Sequence, residues 1–324
     1  MTRYVVIGGS GFVGQWLVKA LLEQGKDVLV DDIVSFPQDL SGFKYKNIDI
    51  RDRESLSELG LNQSDIVIHL AANQYHLKPP QKNRKDYFFG TNYEGTKNIL
   101  DAMHEAGCHN LIYFSTDMVY GKPDYIPVKS DHPKRPFGHY GASKWASEQL
   151  CDSYRKKGIN ITIFRPRMIV GPGRLGVLTK LFRLMDMGLP VPLIGNGSNC
   201  YQMVSVFDVV DAISLAIEKG IPNKAYNLGS ENPPSVYNLL STLIESIGSK
   251  SFLVKTPGRM VKLALGTLGL FGLEVLYKEQ YEIADIDYLV DTSDAEKDLG
   301  WKPKHTDKTM LFEAYKQYKR APLQ

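Results

Sequence analysis

Tyr140 and Lys144 stand four residues apart in Tyr140-Gly141-Ala142-Ser143-Lys144. On a helix that spacing puts both side chains on one face. A phenol ordinarily titrates near pH ~10, and a neighbouring ammonium favours the phenolate. Such a tyrosine can take a proton from a substrate hydroxyl. By itself the pattern marks an ordinary helix face, so what surrounds it matters. Upstream lies Phe114-Ser115-Thr116-Asp117-Met118-Val119-Tyr120-Gly121. Hydroxyls at the carboxyl end of a strand point into the ligand crevice of an open α/β sheet. Thr116 is therefore placed to hydrogen-bond and polarise a substrate oxygen. Thr116, Tyr140 and Lys144 form the candidate catalytic set. Ser115 reads equally as a core contact, and Asp117 as a supporting group or a general acid.

The N-terminus says what the set would work beside. Gly8-Gly9-Ser10-Gly11-Phe12-Val13-Gly14 follows an apolar strand, Tyr4–Ile7, and opens a helix predicted over Phe12–Gln24. Gly8 allows a tight turn, Gly11 lets a pyrophosphate approach the backbone, and Gly14 lets helix pack on strand. The helix start, with Phe12 and Val13, offers free N–H groups and a favourable dipole. The alternative is a glycine turn with a structural role only. The second strand, Val28–Asp31, ends at Asp31-Asp32. A carboxylate there accepts the ribose hydroxyls of NAD and repels the 2′-phosphate of NADP. No Arg or Lys occurs within Ile33–Gln38 to receive that phosphate. NAD is the expected cofactor, with Asp32 as its ribose ligand and Asp31 second. The positive nicotinamide then joins Lys144 in favouring the Tyr140 phenolate, and proton removal accompanies hydride loss to NAD.

The elements that must position these groups alternate. Strands are expected at Asp65–Ala71, Leu111–Ser115 and Asn160–Arg165, with helices over Asn92–Ala106 and Tyr140–Lys157. Apolar strands separated by helices imply an α/β fold, a doubly wound parallel Rossmann-type sheet covered on both faces. After Arg165 the alternation weakens, and only the helix Phe207–Lys219 and the strand Ala225–Leu228 look like returns to the sheet. The expected division is an NAD-binding domain over 1–167 plus about 206–230. A smaller, mostly C-terminal substrate domain takes about 168–205 and 231–324.

Composition limits the partners. The 324 residues are 43% hydrophobic and 23% charged, with a formal net charge of +3. That is ordinary for a soluble domain and carries no dense basic block, so nucleic acid is not the expected partner. Cys108, Cys151 and Cys200 form no disulfide framework or metal pattern, and reduced thiols in a cytoplasmic protein are the simplest reading. The apolar start lacks the features of a signal peptide. The apolar stretch Met260–Tyr277 is interrupted by Lys262 and Glu274, and its uncharged run, Leu263–Leu273, is too short to span a bilayer. It reads as a helical lid, with loose membrane contact as the alternative and no stable insertion.

Further signatures follow in order. They are Asp49-Ile50-Arg51-Asp52, His69-Leu70-Ala71-Ala72, Asn92 before Gly95-Thr96, and Arg165-Pro166 with Gly171-Pro172-Gly173. Tyr226-Asn227-Leu228-Gly229 and Leu299-Gly300-Trp301-Lys302-Pro303 complete the series. With the glycine turn and Tyr140/Lys144, the chain resembles, over nearly its whole length, the extended short-chain dehydrogenase/reductase family, especially its nucleotide-sugar epimerases and dehydratases. The resemblance implies that Asp49 and Ile50 flank the adenine and that Ala71 and Ala72 line the nicotinamide path. Asn92 would support the strand near the active site. It also suggests a homodimer through the helices Asn92–Ala106 and Tyr140–Lys157. Trp145 and Leu150 are the candidate contacts, unless both face the core. His69 is expected to be a satisfied residue under the cofactor.

Two departures shape the expected activity. Dehydratases of this family carry Asp-Glu after the Thr, whereas this chain has Asp117-Met118. Met118 cannot abstract a proton, so dehydration is not expected. Many relatives carry an Arg, which holds the nucleotide diphosphate, where Tyr201 stands. Arg167, Arg174, Lys180 and Arg259 are the candidates to compensate, and Asp117, Met118, Arg167, Tyr201 and Arg259 form the expected substrate set. A lipid diphosphate carrier, or no nucleotide, stays open. The leading expectation is an NAD-dependent epimerase acting at C4 of a nucleotide-sugar-like substrate. The alternatives are a carbonyl reductase that exchanges its cofactor and a dinucleotide-binding sensor without chemistry.

Overall fold

A computed structural model of the chain describes residues 2–37, 40–176, 178–270, 273, 274 and 276–320. Its first half alternates strand and helix. The elements are β1 (Arg3–Ile7), α1 (Phe12–Glu23), β2 (Asp27–Asp31), β3 (Phe43–Lys46), β4 (Ile66–His69), α2 (Arg84–Phe89), α3 (Thr96–Glu105), β5 (Asn110–Phe114), α4 (His139–Arg155) and β6 (Asn160–Pro166). Then come β7 (Met168–Val170), α5 (Leu178–Asp186), β8 (Val191–Ile194), β9 (Met203–Ser205), α6 (Val206–Glu218), β10 (Ala225–Leu228), α7 (Val236–Ser246), β11 (Leu253–Thr256) and α8 (Gly258–Leu270). The last helices are α9 (Lys278–Tyr281), α10 (Ser293–Leu299) and α11 (Asp307–Arg320).

Seven strands form one parallel sheet in the order β10-β6-β5-β4-β1-β2-β3. The order reverses between β1 and β4, which opens a crevice at the carboxyl ends of those strands. Successive side chains on each strand point to opposite faces, so each face gathers its own core. Val6, Val28, Val30, Ile68 and Ile112 pack with Leu17 and Leu21 of α1 and Val209 and Ile213 of α6. Val5, Ile7, Leu29, Val67 and Leu111 pack with Ile99 and Met103 of α3 and Cys151 and Tyr154 of α4. Burial on both faces explains why these strands read as continuous apolar runs.

Two expectations shift. Phe43–Lys46 is a strand that the sequence pattern does not single out. It pairs with β2 at the sheet edge, where its alternating lysines suit a half-exposed position. The helix expected over Asn92–Ala106 begins earlier, as α2, and passes through a π-helical turn at Gly90–Gly95 before α3. The Asn92 carbonyl in that turn accepts hydrogen bonds from Thr96 Oγ1 and Ser147 Oγ, both at 2.6 Å. Trp145 packs against the Val119, Tyr120 and Val128 cluster and Leu150 against the core under α4, and each keeps part of its surface exposed. The apolar stretch begins with α8, while Phe271, Gly272 and Val275 within it lie outside the described residues.

α4, which carries Tyr140 and Lys144, is tied to the sheet by charge. Arg165 on β6 donates to Glu148 on α4 from Nε (2.9 Å) and Nη2 (2.6 Å). Its Nη1 donates to the Tyr120 hydroxyl and the Ser130 carbonyl. Arg165 and Glu148 are both buried.

Candidate active site

The crevice is a cavity of about 1020 Å³ lined by the strand ends and the loops that follow them. At one end the glycine turn forms its floor. Gly8 has φ +82°, and a Cβ there would sit 2.4 Å from the Ala71 nitrogen. A Cβ on Gly14 would meet the Gly9 carbonyl at 2.5 Å. Only glycine permits this approach of β1, β4 and α1. Gly11 precedes α1 and places no side chain over its free N–H groups, so an anion can take them. Phe12 and Val13 complete this wall.

The two aspartates both line the cavity and differ in burial. Asp31 is buried, and its Oδ1 accepts from the Ile48 nitrogen at 3.0 Å. Burial pushes its carboxyl up to about 7. Asp32 receives the Ser10 and Val34 nitrogens at 3.0 and 3.1 Å and lines the cavity. Asp49, Ile50, Ala71 and Ala72 line it as well. Asn92 does not: it lies behind the wall, where it accepts from the Asn73 nitrogen at 2.8 Å and donates to Ser143 Oγ at 3.0 Å. Its expected place among the cofactor contacts is corrected to support of the wall. His69 Nε2 meets Thr96 Oγ1 at 2.9 Å, while its Nδ1 has no partner. The residues fit a dinucleotide on physical grounds. They make a cradle that a Cβ would fill and an uncapped helix start, and the buried Ser10 Oγ and Asp31 Oδ2 have no partners.

At the centre, α4 presents Tyr140 and Lys144 to the cavity opposite Ser115 and Thr116. The Tyr140 hydroxyl accepts from Gln74 Nε2 at 2.9 Å, and Gln74 Oε1 accepts in turn from Arg174 at 2.9 Å. Burial pushes the Tyr140 phenol up to about 12, opposed by Arg174, Thr116 and Gln74. This corrects the expected lowering: loss of water outweighs the cations in the chain alone. Lys144 sits 4.2 Å over the Tyr113 ring, and burial lowers its pKa to about 7. Nothing in the sequence around Gln74 marks it, because its partner is 66 residues away.

That lysine carries a stability prediction. Its folded pKa lies below the ordinary 10.5, so between those values the unfolded chain holds the extra proton. Stability therefore falls as pH drops from 10.5 toward about 7. Lys144→Met is expected to melt a few degrees above wild type near pH ~7 and to lose that advantage near pH ~11. Calorimetry at the two pH values checks this, and a variant that melts lower than wild type at neutral pH contradicts it.

The far end holds the substrate candidates. Asp117 pairs with Arg167, whose guanidinium lies 4.7 Å from the Tyr201 ring and 4.1 Å from the Tyr288 ring. Arg167 is buried, and its Nε and Nη2 have no hydrogen-bond partners. Met118, Tyr201, Arg174 and Lys180 line the same space. Arg259 does not. It lies exposed in the first turn of α8 and is absent from the cavity wall. That turn seats Gly258 against Asp285 and Gly195, away from the crevice, so its expected substrate role is withdrawn.

A doubly wound sheet with a glycine cradle at its switch point and a Tyr/Lys pair facing it defines a dinucleotide-dependent enzyme of oxidoreductase type. The chain belongs to the NAD dependent epimerase/dehydratase family, whose pattern matches residues 4–229, and NAD is the cofactor that this family uses. It is 31% identical over 321 residues to the uncharacterized protein y4nG of Sinorhizobium fredii, covering 97% of this chain and 78% of that one. It is 28% identical to a UDP-glucose 4-epimerase of Streptococcus mutans, covering 94% and 92%. A crystal structure of UDP-glucose 4-epimerase with UDP-glucose from Thermotoga maritima matches with a TM-score of 0.78 at 25% identity, covering 98% and 99%.

Proposed function

We propose that the protein is an NAD-dependent epimerase that inverts C4 of a nucleotide-activated sugar through a transient ketosugar. The observation that carries this reading is the shared cavity of the glycine cradle, Tyr140 with Thr116, and the Asp117–Arg167 pair. Gly8, Gly11, Gly14 and Asp32 would hold NAD. Bound NAD supplies a hydride acceptor that can return the same hydride. Tyr140 takes the proton from the C4 hydroxyl as that carbon gives up hydride, and returns it to the same oxygen when the rotated ketosugar is reduced again on its opposite face. Thr116 and Lys144 hold the oxygen and the tyrosine in register. Arg167 offers two buried N–H-bearing nitrogens to oxygen acceptors of the substrate, and burial makes unmet donors there costly.

Met118 supports epimerisation over dehydration, because no carboxylate stands in that position to remove a second proton. The test is product analysis by NMR after incubation with UDP-, dTDP-, GDP- and CDP-sugars without added reductant. An epimeric product with no net NADH is expected. A 4-keto-6-deoxy sugar, or consumption of added NADH with release of cofactor at each turnover, overturns the reading.

A further inference from the structure

α8 turns its apolar face outward. Met260, Leu263, Ala264, Thr267 and Leu268 recur at i, i+3, i+4, i+7 and i+8, one stripe of a helix. All five are exposed, Met260 at 68% and Leu263 at 72%. Thr267 bonds its hydroxyl back to the Leu263 and Ala264 carbonyls at 2.8 and 3.0 Å, so the stripe's one polar group is already satisfied. The other side of the helix meets the protein. Lys262 pairs with Asp285 at 2.6 Å and donates to the Glu282 carbonyl, and a Cβ on Gly266 would meet the Tyr281 hydroxyl. A stripe of this kind ordinarily faces a core, and exposed apolar patches mark interaction sites.

The charge around the stripe points to the partner. Residues 246–273 contain Lys250, Lys255, Arg259 and Lys262 and no Asp or Glu. Lys250, Lys255 and Arg259 are exposed. Of the carboxylates that border α8, Glu274 and Asp285 are held in ion pairs with Arg84 and Lys262, and the partly exposed Glu282 lies on the protein side, where its carbonyl meets Lys262. Phe252 and Leu273, 58% and 62% exposed, extend the apolar surface on either side in sequence. Beyond α8 the chain runs into the cavity wall at Glu274, Leu276 and Tyr277. An apolar stripe flanked in sequence by the exposed cations Lys250, Lys255 and Arg259 fits a surface that is apolar beneath and anionic on top. A second copy of the chain fits worse, because a two-fold contact through the stripe brings the same cations together.

We propose that α8 lies in the plane of an anionic phospholipid surface, with Met260, Leu263 and Leu268 in the acyl boundary and Lys250, Lys255 and Arg259 against the headgroups. This is attachment at the surface. No helix among the described residues is long and apolar enough to cross a membrane. The surface stands apart from the epimerase reading and is tested without turnover.

The full chain is sedimented with sucrose-loaded vesicles, either phosphatidylcholine alone or phosphatidylcholine with about one third phosphatidylglycerol. Binding to the anionic vesicles is expected to exceed binding to the neutral ones by about tenfold and to weaken in high salt. Met260→Glu/Leu263→Glu is expected to lose about tenfold in binding while its circular dichroism, melting temperature and bound NAD stay at wild-type values. Arg259→Glu is expected to weaken binding while keeping the apolar stripe. Failure of the wild-type chain to sediment with anionic vesicles overturns the proposal, as does equal binding by the double variant. A wild-type dimer that the double variant converts to monomer without vesicles assigns the stripe to a second copy and also overturns it.

Discussion

Tyr140→Phe is expected to lower turnover by about 10³-fold while leaving the fold and the bound cofactor in place. The phenol hydroxyl is the smallest change that removes the proposed base. The described hydrogen bond it forms is with Gln74, so its loss releases one amide and no packing. The remaining ring keeps its contacts with Tyr75 and Phe88. The pH profile adds a sign. Burial holds the phenol up to about 12, so the reactive phenolate becomes more abundant as pH rises. Wild-type turnover is therefore expected to climb with pH at neutral and mildly alkaline values, and the residual turnover of the variant to lose that slope. Steady-state kinetics with the substrate identified by NMR measures both. A Tyr140→Phe variant that turns over at the wild-type rate removes Tyr140 as the base.

Glu148→Ala is expected to cost about 3–5 kcal/mol of folding stability. The pair it breaks lies between α4 and β6, with Arg165 4% and Glu148 1% exposed. Two charges taken out of water gain little when both are present, but removing one leaves the other buried and unmatched. Arg165 would keep the Tyr120 hydroxyl and the Ser130 carbonyl, neither of which carries a balancing charge. Glu148→Gln retains an acceptor and is expected to lose less. Lys144 lies one helical turn before Glu148 and Tyr140 two turns before it, so a loosened α4 also disturbs the pair that faces the cavity. Urea titration of both variants gives the comparison. A loss below about 1 kcal/mol for the alanine variant would mean that the guanidinium finds water or another acceptor.

What can be read in the chain follows the range of the interactions involved. β10 falls at Ala225–Leu228 as expected, and β1, β2, β5 and β6 fall within a residue or so of their expected bounds. Their apolar runs and flanking helices are local signals. The edge strand β3 escapes because Phe43-Lys44-Tyr45-Lys46 alternates over only four residues. The π turn at Gly90–Gly95 escapes because its use lies in the partners of the Asn92 carbonyl, and Ser147 is 55 residues away. Arg259 misleads for a related reason: a cation's type says nothing about which way its helix turns once Gly258 is seated.

By itself, the amino-acid sequence determined the glycine cradle, the Asp31-Asp32 strand end and the Tyr140/Lys144 pair, because turn geometry, strand length and helical spacing act over a few residues. The tertiary structure decided the rest. It set both aspartates at the cavity wall and told them apart by burial, Asp31 under the Ile48 nitrogen and Asp32 half-buried. It joined Arg174, Gln74 and Tyr140 across the crevice. It raised the Tyr140 phenol by desolvation and turned the α8 stripe away from the core. Each of these depends on which distant segments pack together and where water is excluded, and no local pattern of residues specifies that.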